Sequence, residues 1–393
     1  MNPMFGELND LRHVSKFKRG ILPLSMVFFI YTFGWGMTAP IFSIYVQNIT
    51  GSLFLTGVVL SMTTMMGIFL NIPFGLLMSR VNVKRVLQAV LLAYAGLAVL
   101  YPAAGTLQSL LLVSVIRGIC SSILWLVSWA CIFAYVDKGV KGKEVGFFSD
   151  MNDLASALSP MLGGLAAALS FFLPFYLLAL TSLIAFAAVT IYMKEVPRPK
   201  KAPLKAQMSA LLAHARDNRF VKTVLLIVLF YALINVYYAF LAVFLHEQGI
   251  PIATIGIMLT VALLPAVALE VPMGNLADKY GVGKSMAAAA FFAMVSGMLM
   301  PLSGNVYLTA ALVMAFTVSY TMIFIALYAR MSDIMGRGKT AMTGAMATFK
   351  DLGYTLGPLA AGLLMGIVGI QGTFIAAGAL FALLIPMALS LHD

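Results

Sequence analysis

Six ionisable side chains interrupt long apolar stretches of the chain: Arg117, Asp150, Asp153, Glu270, Lys350 and Asp351. A charge at the centre of a membrane-length apolar run costs about 2.5–3.5 kcal/mol on insertion scales, so each one points to function or to a partner on a neighbouring helix. A carboxylate at such a depth can take up and release a proton as its surroundings wet and dry. A guanidinium cannot deprotonate, so the chemistry open to Arg117 is binding an anionic group or setting a carboxylate's pKa. The plainer alternative for Arg117 is a structural bridge to Asp153 or Asp150. Lys350 adjoins Asp351, but adjacent helical residues point about 100° apart, so the two need not pair. Asp150 lies near the start of its run, where water reaches.

A second set is aromatic or polar at mid-run: Tyr31, Trp35, Trp125, Trp129, Tyr231, Asn235, Tyr238, Tyr320 and Tyr328. Singly, each reads as packing or as an interfacial anchor; as a set they suit an amphipathic or aromatic small molecule in a cavity. Trp125 and Trp129 are four residues apart and share one helical face. The 26 methionines allow adaptable surfaces.

Other chemistry is excluded. GVGKS at 281–285 lacks the first glycine of a phosphate loop, its place being taken by Asp278, and GRGKT at 336–340 fails in the same way at Asp333. His13, His214, His246 and His392 have no metal-ligand spacing. No Ser/His/Asp arrangement points to an enzyme and no nucleotide motif to a primary pump. The reading is no enzyme, no metal and no cofactor, with an ion gradient as the energy source.

The elements that carry these residues follow from composition. The chain has 393 residues, 62% hydrophobic and 10% charged. Soluble domains are about half apolar and about a quarter charged, so this chain could not cover itself in water. A span needs about 20 apolar residues. Apolar runs predict twelve spans: about 20–46, 54–78, 84–104, 107–135, 146–169, 171–193, 221–246, 252–277, 283–303, 306–332, 340–366 and 370–391. The fold class is an all-α membrane protein with twelve transmembrane helices. Glu7, Asp10, Arg12, Lys16, Lys18 and Arg19 precede a first run too long for a cleavable signal. Cys120 and Cys131 share one run, so no structural disulfide is expected.

All 25 basic residues except Arg117 and Lys350 fall in the N-terminal segment or in alternate connections, and the opposite loops carry none. The positive-inside rule then places both termini in the cytoplasm of a multi-pass cell (inner) membrane protein. The net charge of +11 is a topology signal and needs no nucleic acid. The sequon at Asn48 lies against the membrane and is read as chance. Pro197, Pro199 and Pro203 break any helix in the polar segment 194–220, while 204–216 suits a basic amphipathic helix on membrane lipid. The expected domains are 1–193, a linker at 194–220, and 221–393.

The halves repeat. DLASALSPMLGG at 153–164 aligns with DLGYTLGPLAAG at 351–362 at an offset of 198, pairing Asp153 with Asp351, Pro160 with Pro358 and Gly164 with Gly362. PFGLLMSRVNVKR at 73–85 aligns with PMGNLADKYGVGK at 272–284 at an offset of 199, and the same offset makes Asn71 the mate of Glu270. Two matches at almost one offset indicate parallel duplicated halves, hence two pseudo-symmetric six-helix bundles.

These residues carry a family resemblance. GNLADKYGVGK, with Gly274, Asp278, Lys279, Gly281 and Lys284, is similar to the loop signature of the major facilitator superfamily between spans 8 and 9. The first-half copy keeps Gly75, Arg80 and Arg85, with Ser79 for the Asp and Asn82 for the Gly. ALSPMLGG and TLGPLAAG, with Pro160, Gly163 and Gly164 and with Gly357, Pro358 and Gly362, resemble the span 5 element of many antiporters in that superfamily. Arg117 resembles the span 4 arginine of the same antiporters, although RGICSS departs from the glycine context that follows it. The resemblance implies two bundles about a central cavity that opens to either side alternately, with the loop residues as a cytoplasmic gate. It also implies that Asp278 faces the start of span 5 near Gly146, and Ser79 the start of span 11.

The leading reading is a monomeric secondary transporter, proton-coupled and exporting a lipophilic or amphipathic small molecule. LEVP at 269–272 is similar to sugar-efflux members, which keeps a sugar or metabolite carrier as the alternative. A receptor, lipid scramblase or assembly anchor on the same scaffold is the reading from another class, favoured by the degenerate first loop motif.

Overall fold

The computed structural model describes residues 20–77, 81–135, 141–195, 218–335 and 339–390. Every regular element among them is helical. Eight helices or helical stretches are long and apolar enough to cross a membrane, two bent pairs each make one further span, one of the eight stretches holds two spans, and the more polar helix Lys141–Leu169 completes the twelve. Span 1 is Ile21–Met37 with Ala39–Thr50, bent by 43°; span 8 is Ile252–Ala268 with Glu270–Tyr280, bent by 50°. Pro40 and Pro272 lie just past the two breaks. Each lacks an N–H, and each ring crowds the carbonyl four residues back, at Gly36 and Ala268.

Spans 2, 3 and 4 are Leu53–Leu77, Val83–Leu100 and Leu107–Tyr135. Spans 5, 6 and 7 are Lys141–Leu169, Leu173–Tyr192 and Asn218–Glu247. Spans 9 and 10 are Val282–Leu299 and Val306–Met335. The helix Lys339–Leu380 has 42 residues, about twice what a bilayer needs, and Gly369 at φ 73° divides it into span 11 and the start of span 12. Span 12 ends in Leu384–Leu389. Span 5 is the least apolar of the twelve because it carries Lys141, Lys143, Glu144, Asp150 and Asp153. Its charges are the price of its position beside the cavity described below.

Each half has its own apolar core. Leu24, Val27, Tyr45, Tyr101 and Phe175 centre the first, and Phe230, Tyr237, Phe240, Phe244, Phe374 and Phe381 the second. Ile44, on the outer limb of span 1, packs into the core of the second half. Asn82 caps span 3 by accepting from the Arg85 backbone N–H at 3.1 Å. Lys84 Nζ donates to the Thr190 and Met193 carbonyls at 3.3 and 2.5 Å, closing the end of span 6 as a cation at a helix C-terminus should.

The halves meet through two pseudo-symmetric seams, span 2 against span 11 and span 8 against span 5. On the side away from the termini the seams are built alike. A Cβ on Gly362 would stand 2.9 Å from the Leu53 carbonyl oxygen, and one on Gly164 would stand 2.7 Å from that of Ile252. Gly57 lies against Pro358, and Gly256 against Pro160, so tightly that neither glycine has room for a side chain. By the repeat, Gly57 and Gly256 are mates, as are Leu53 and Ile252. The far side is therefore closed backbone to backbone.

Candidate functional site

Toward the termini the two seams diverge. Spans 2 and 11 stay joined: Ser61 Oγ donates to the Thr355 carbonyl at 2.9 Å, Thr64 and Thr355 hydroxyls lie 2.9 Å apart, and Asn71 Nδ2 donates to Asp351 Oδ2 at 2.8 Å. On the other seam the last direct bond is from the Met161 N–H to Thr260 Oγ1 at 3.0 Å. One to two turns further along the same faces, Asp153, Ser156 and Ala157 of span 5 and Leu263, Ala266, Val267 and Glu270 of span 8 no longer touch. They line a cavity of about 270 Å³.

Spans 7, 10 and 11 complete the wall with Phe230, Tyr231, Ile234, Tyr238, Tyr320, Thr321, Phe324 and Tyr354. The Tyr238 and Tyr320 hydroxyls hydrogen-bond each other. The Tyr231 hydroxyl is buried without a hydrogen-bond partner. Asp153 and Glu270 are half-buried and make no hydrogen bond or ion pair with the described residues. Glu270 is the first residue of the limb beyond the Leu269 break, so the 50° bend carries it. No basic side chain lines this part of the cavity.

The two repeat-related aspartates are thus in different settings: Asp351 is tied to Asn71, whereas Asp153 faces Glu270 across open space. Asp150 is exposed, one turn before Asp153. Lys350 lies over the Trp125 ring at 4.1 Å and 6.0 Å from the Tyr354 ring, reaching across from the second half to the first. Trp129 packs edge-on to Trp125 with centroids 5.8 Å apart.

Arg117 does not form the bridge to Asp153 or Asp150. Its guanidinium is sandwiched by the Trp35 and Phe42 rings, at 3.8 and 4.2 Å, inside the core of the first half. Nη1 donates to Tyr101 Oη at 3.5 Å, Nε has no partner, and no carboxylate among the described residues pairs with it. The bridge to Asp153 or Asp150 is absent because Arg117 and its aromatic cage lie in spans 1, 3 and 4, away from the seam.

Of the aromatic candidates, Tyr231, Tyr238 and Tyr320 line the cavity. Tyr31 packs on Tyr94 in the first core, with centroids 5.0 Å apart. Asn235 Nδ2 donates to the Tyr354 carbonyl at 2.5 Å and pins span 7 to span 11. Tyr328 is exposed and stacks on Phe324 at 4.4 Å. The sequence reading missed Tyr354, although its place four residues after Lys350 was a signal that the two share a helical face.

Among the gate candidates, Gly75 lies in the last turns of span 2, Arg85 is exposed, and Ser79 and Arg80 lie outside the described residues, as does 196–217 of the linker. Gly274, Asp278, Lys279, Gly281 and Lys284 cluster around the end of span 8, where Gly281 at φ 89° turns the chain into span 9. Asp278 is exposed and makes no hydrogen bond or ion pair with the described residues, and nothing stands within 4 Å of where a Gly146 Cβ would be. Gly163 lies against the Met37 backbone and Gly357 against that of Ala232, each within its own half.

Two duplicated helical bundles, sealed at one face and enclosing a mainly apolar and aromatic cavity with two carboxylates in its wall, define a polytopic membrane transporter. The chain belongs to the major facilitator superfamily: the family model described as Major Facilitator Superfamily matches residues 24–251 and 223–392. An uncharacterized MFS-type transporter of Methanocaldococcus jannaschii is 23% identical over 370 residues, covering 92% of this chain and 95% of its own. Multidrug resistance protein 2 of Bacillus subtilis is 25% identical over 270 residues, 64% of each chain. Among solved structures, a bacterial homologue of the human lysosomal transporter Spinster, inward-facing and unoccupied, superposes with a TM-score of 0.79 at 13% identity. It covers 94% of this chain and 95% of that one. The nucleoside transporter NupG gives 0.76 at 14% identity, with 94% and 98% covered.

Proposed function

We propose that this protein is a proton-coupled exporter of a lipophilic or amphipathic small molecule, with both termini in the cytoplasm of the cell membrane. The halves 1–193 and 221–393 rock about the seams, with 194–220 as their tether. In this reading the closed glycine-rich face is external and the cavity opens inward. The basic connections, on the side of the termini, support that orientation. The multidrug name of the Bacillus subtilis relative supports export of such a molecule.

The observation that carries proton coupling is the pseudo-symmetric exchange of Asn71–Asp351 for Glu270–Asp153. An amide and a carboxylate can close a seam with one hydrogen bond, as Asn71 and Asp351 do. Two carboxylates cannot approach while both are ionised, but one shared proton supplies the missing donor. Closing spans 5 and 8 on the cytoplasmic side then requires a proton between Asp153 and Glu270, and opening to the outside would deliver it for exchange. Asp150, Tyr231, Tyr238, Tyr320 and Tyr354 are the other titratable groups around the pair.

The test is purified protein in liposomes with an imposed pH gradient and an amphipathic fluorescent dye. Asp153→Asn and Glu270→Gln should each lose gradient-driven accumulation while keeping equilibrium exchange, which needs no change of protonation. Gradient-driven accumulation at the wild-type rate in both variants would rule out this proton site.

A further inference from the structure

The cavity wall carries two carboxylates, a lysine of span 11 stands one turn from its aromatic residues, and both features depart from the internal repeat. On the span 5–8 side Glu270 stands where the first half has neutral Asn71. On the span 4–11 side Lys350 stands where, at the offset of 198, the first half has Asn152. Asn152 is satisfied locally: it accepts from Thr32 Oγ1 at 2.9 Å and donates to the Phe148 carbonyl at 2.8 Å. A neutral amide therefore meets the needs of the fold at that place, and the ammonium of Lys350 answers to something else.

Lys350 lies beside the cavity. It is one turn before Tyr354, which is part of the cavity wall, and its Nζ lies over Trp125 of the opposite half. It makes no ion pair with the described residues; the carboxylate its charge acts on is the adjacent Asp351, which Asn71 already hydrogen-bonds. Two ring faces are a weak substitute for a counter-ion at this depth. Between the acidic pair and Lys350 the wall is aromatic, and the Tyr231 hydroxyl, on a side chain 4% exposed, has no partner there.

We propose that the transported molecule is a zwitterion: an apolar or aromatic body with a cationic group for Asp153 and Glu270 and an anionic group for Lys350. This rests on the transport reading above and narrows its substrate class. A simple cation would leave the ammonium of Lys350 with only Asp351, which Asn71 already holds, and a simple anion would meet two carboxylates. A cationic group entering between Asp153 and Glu270 takes the place of the shared proton, which matches exchange of substrate for proton.

The test is equilibrium binding to the purified full-length protein in detergent, followed by fluorescence anisotropy after subtraction of protein-free micelles. The probes are rhodamine B, a zwitterion at neutral pH, and its ethyl ester, a cation with the same xanthene body. The wild type should bind the zwitterion about tenfold more tightly than the ester. Lys350→Gln should abolish that preference by weakening the zwitterion alone, and Lys350→Arg should keep it. Equal or tighter binding of the ester to the wild type, an equal loss of both dyes in Lys350→Gln, or no binding of the zwitterion would each overturn the proposal. Because binding needs no gradient, these outcomes are separate from the liposome test of proton coupling.

Discussion

Asn71 and Asp351 join spans 2 and 11 through a 2.8 Å hydrogen bond at the pseudo-symmetric place where Glu270 and Asp153 stand apart. The far ends of both seams are equivalent, with Gly57 and Gly256 each pressed against a proline-bearing helix of the other half. The asymmetry of the cavity therefore coincides with the polar residues and with the 50° bend of span 8, which span 2 lacks.

The Asn71–Asp351 bond should stabilise the protein measurably. Asn71→Ala leaves a part-buried carboxylate without its donor, which costs about 1–3 kcal/mol. Asp351→Asn should cost less, because an amide oxygen still accepts. Thermal unfolding of the two single variants and the double variant checks this: a coupling energy indistinguishable from zero would mean the bond contributes nothing.

Glu270→Gln recreates on span 8 the neutral amide of the other seam. It should bond Asp153 without a proton and shift spans 5 and 8 toward closure on the side of the termini without locking them. A cysteine at Ser156 in a background free of Cys120 and Cys131 should become partly protected from reagent added on that side. Unchanged labelling would show that the amide does not draw the helices together.

Closure of the far side depends on the absence of side chains at Gly164 and Gly256, where a Gly164 Cβ would come 2.9 Å from the Gly256 Cα. Gly256→Val should overpack this contact by about 1–3 kcal/mol, and 1.4 kcal/mol is a tenfold population change. The same cavity cysteine should then react from the far side, where the parent protein is closed. Continued protection would mean that the seam adjusts elsewhere.

Asp278 is free in this conformation, so Asp278→Asn should leave thermal stability within about 0.5 kcal/mol. Its effect should fall on closure of the side bearing the termini, where a carboxylate near a helix N-terminus gains about 0.3–1 kcal/mol. A several-fold rise in cavity labelling from that side is expected, and a large loss of stability would contradict the assignment.

Arg117 should matter for stability and little for substrate. Arg117→Lys loses a planar cation held between Trp35 and Phe42, at a cost of about 0.5–2 kcal/mol, while dye binding stays within twofold. Weakened binding at unchanged stability would return Arg117 to the cavity.

The twelve spans and the duplicated halves were legible in the sequence, because membrane length and the need to satisfy every backbone group in lipid leave few alternatives. The two broken spans were not legible: Pro272 lies at the break in span 8, while its repeat mate Pro73 lies inside an unbroken span 2. The intramembrane charges could be named, for their cost does not depend on where their partners lie. What the sequence left open was partnership. Nothing in the spacing distinguishes Asp153 from Asp351, yet one faces a carboxylate across open space and the other an amide 2.8 Å away. Nor does it separate Arg117, caged by rings from another span, from the carboxylates it could have bridged. Helical periodicity specifies which side chains share a face, but which faces meet is decided by packing between helices hundreds of residues apart, and that only the tertiary structure decides.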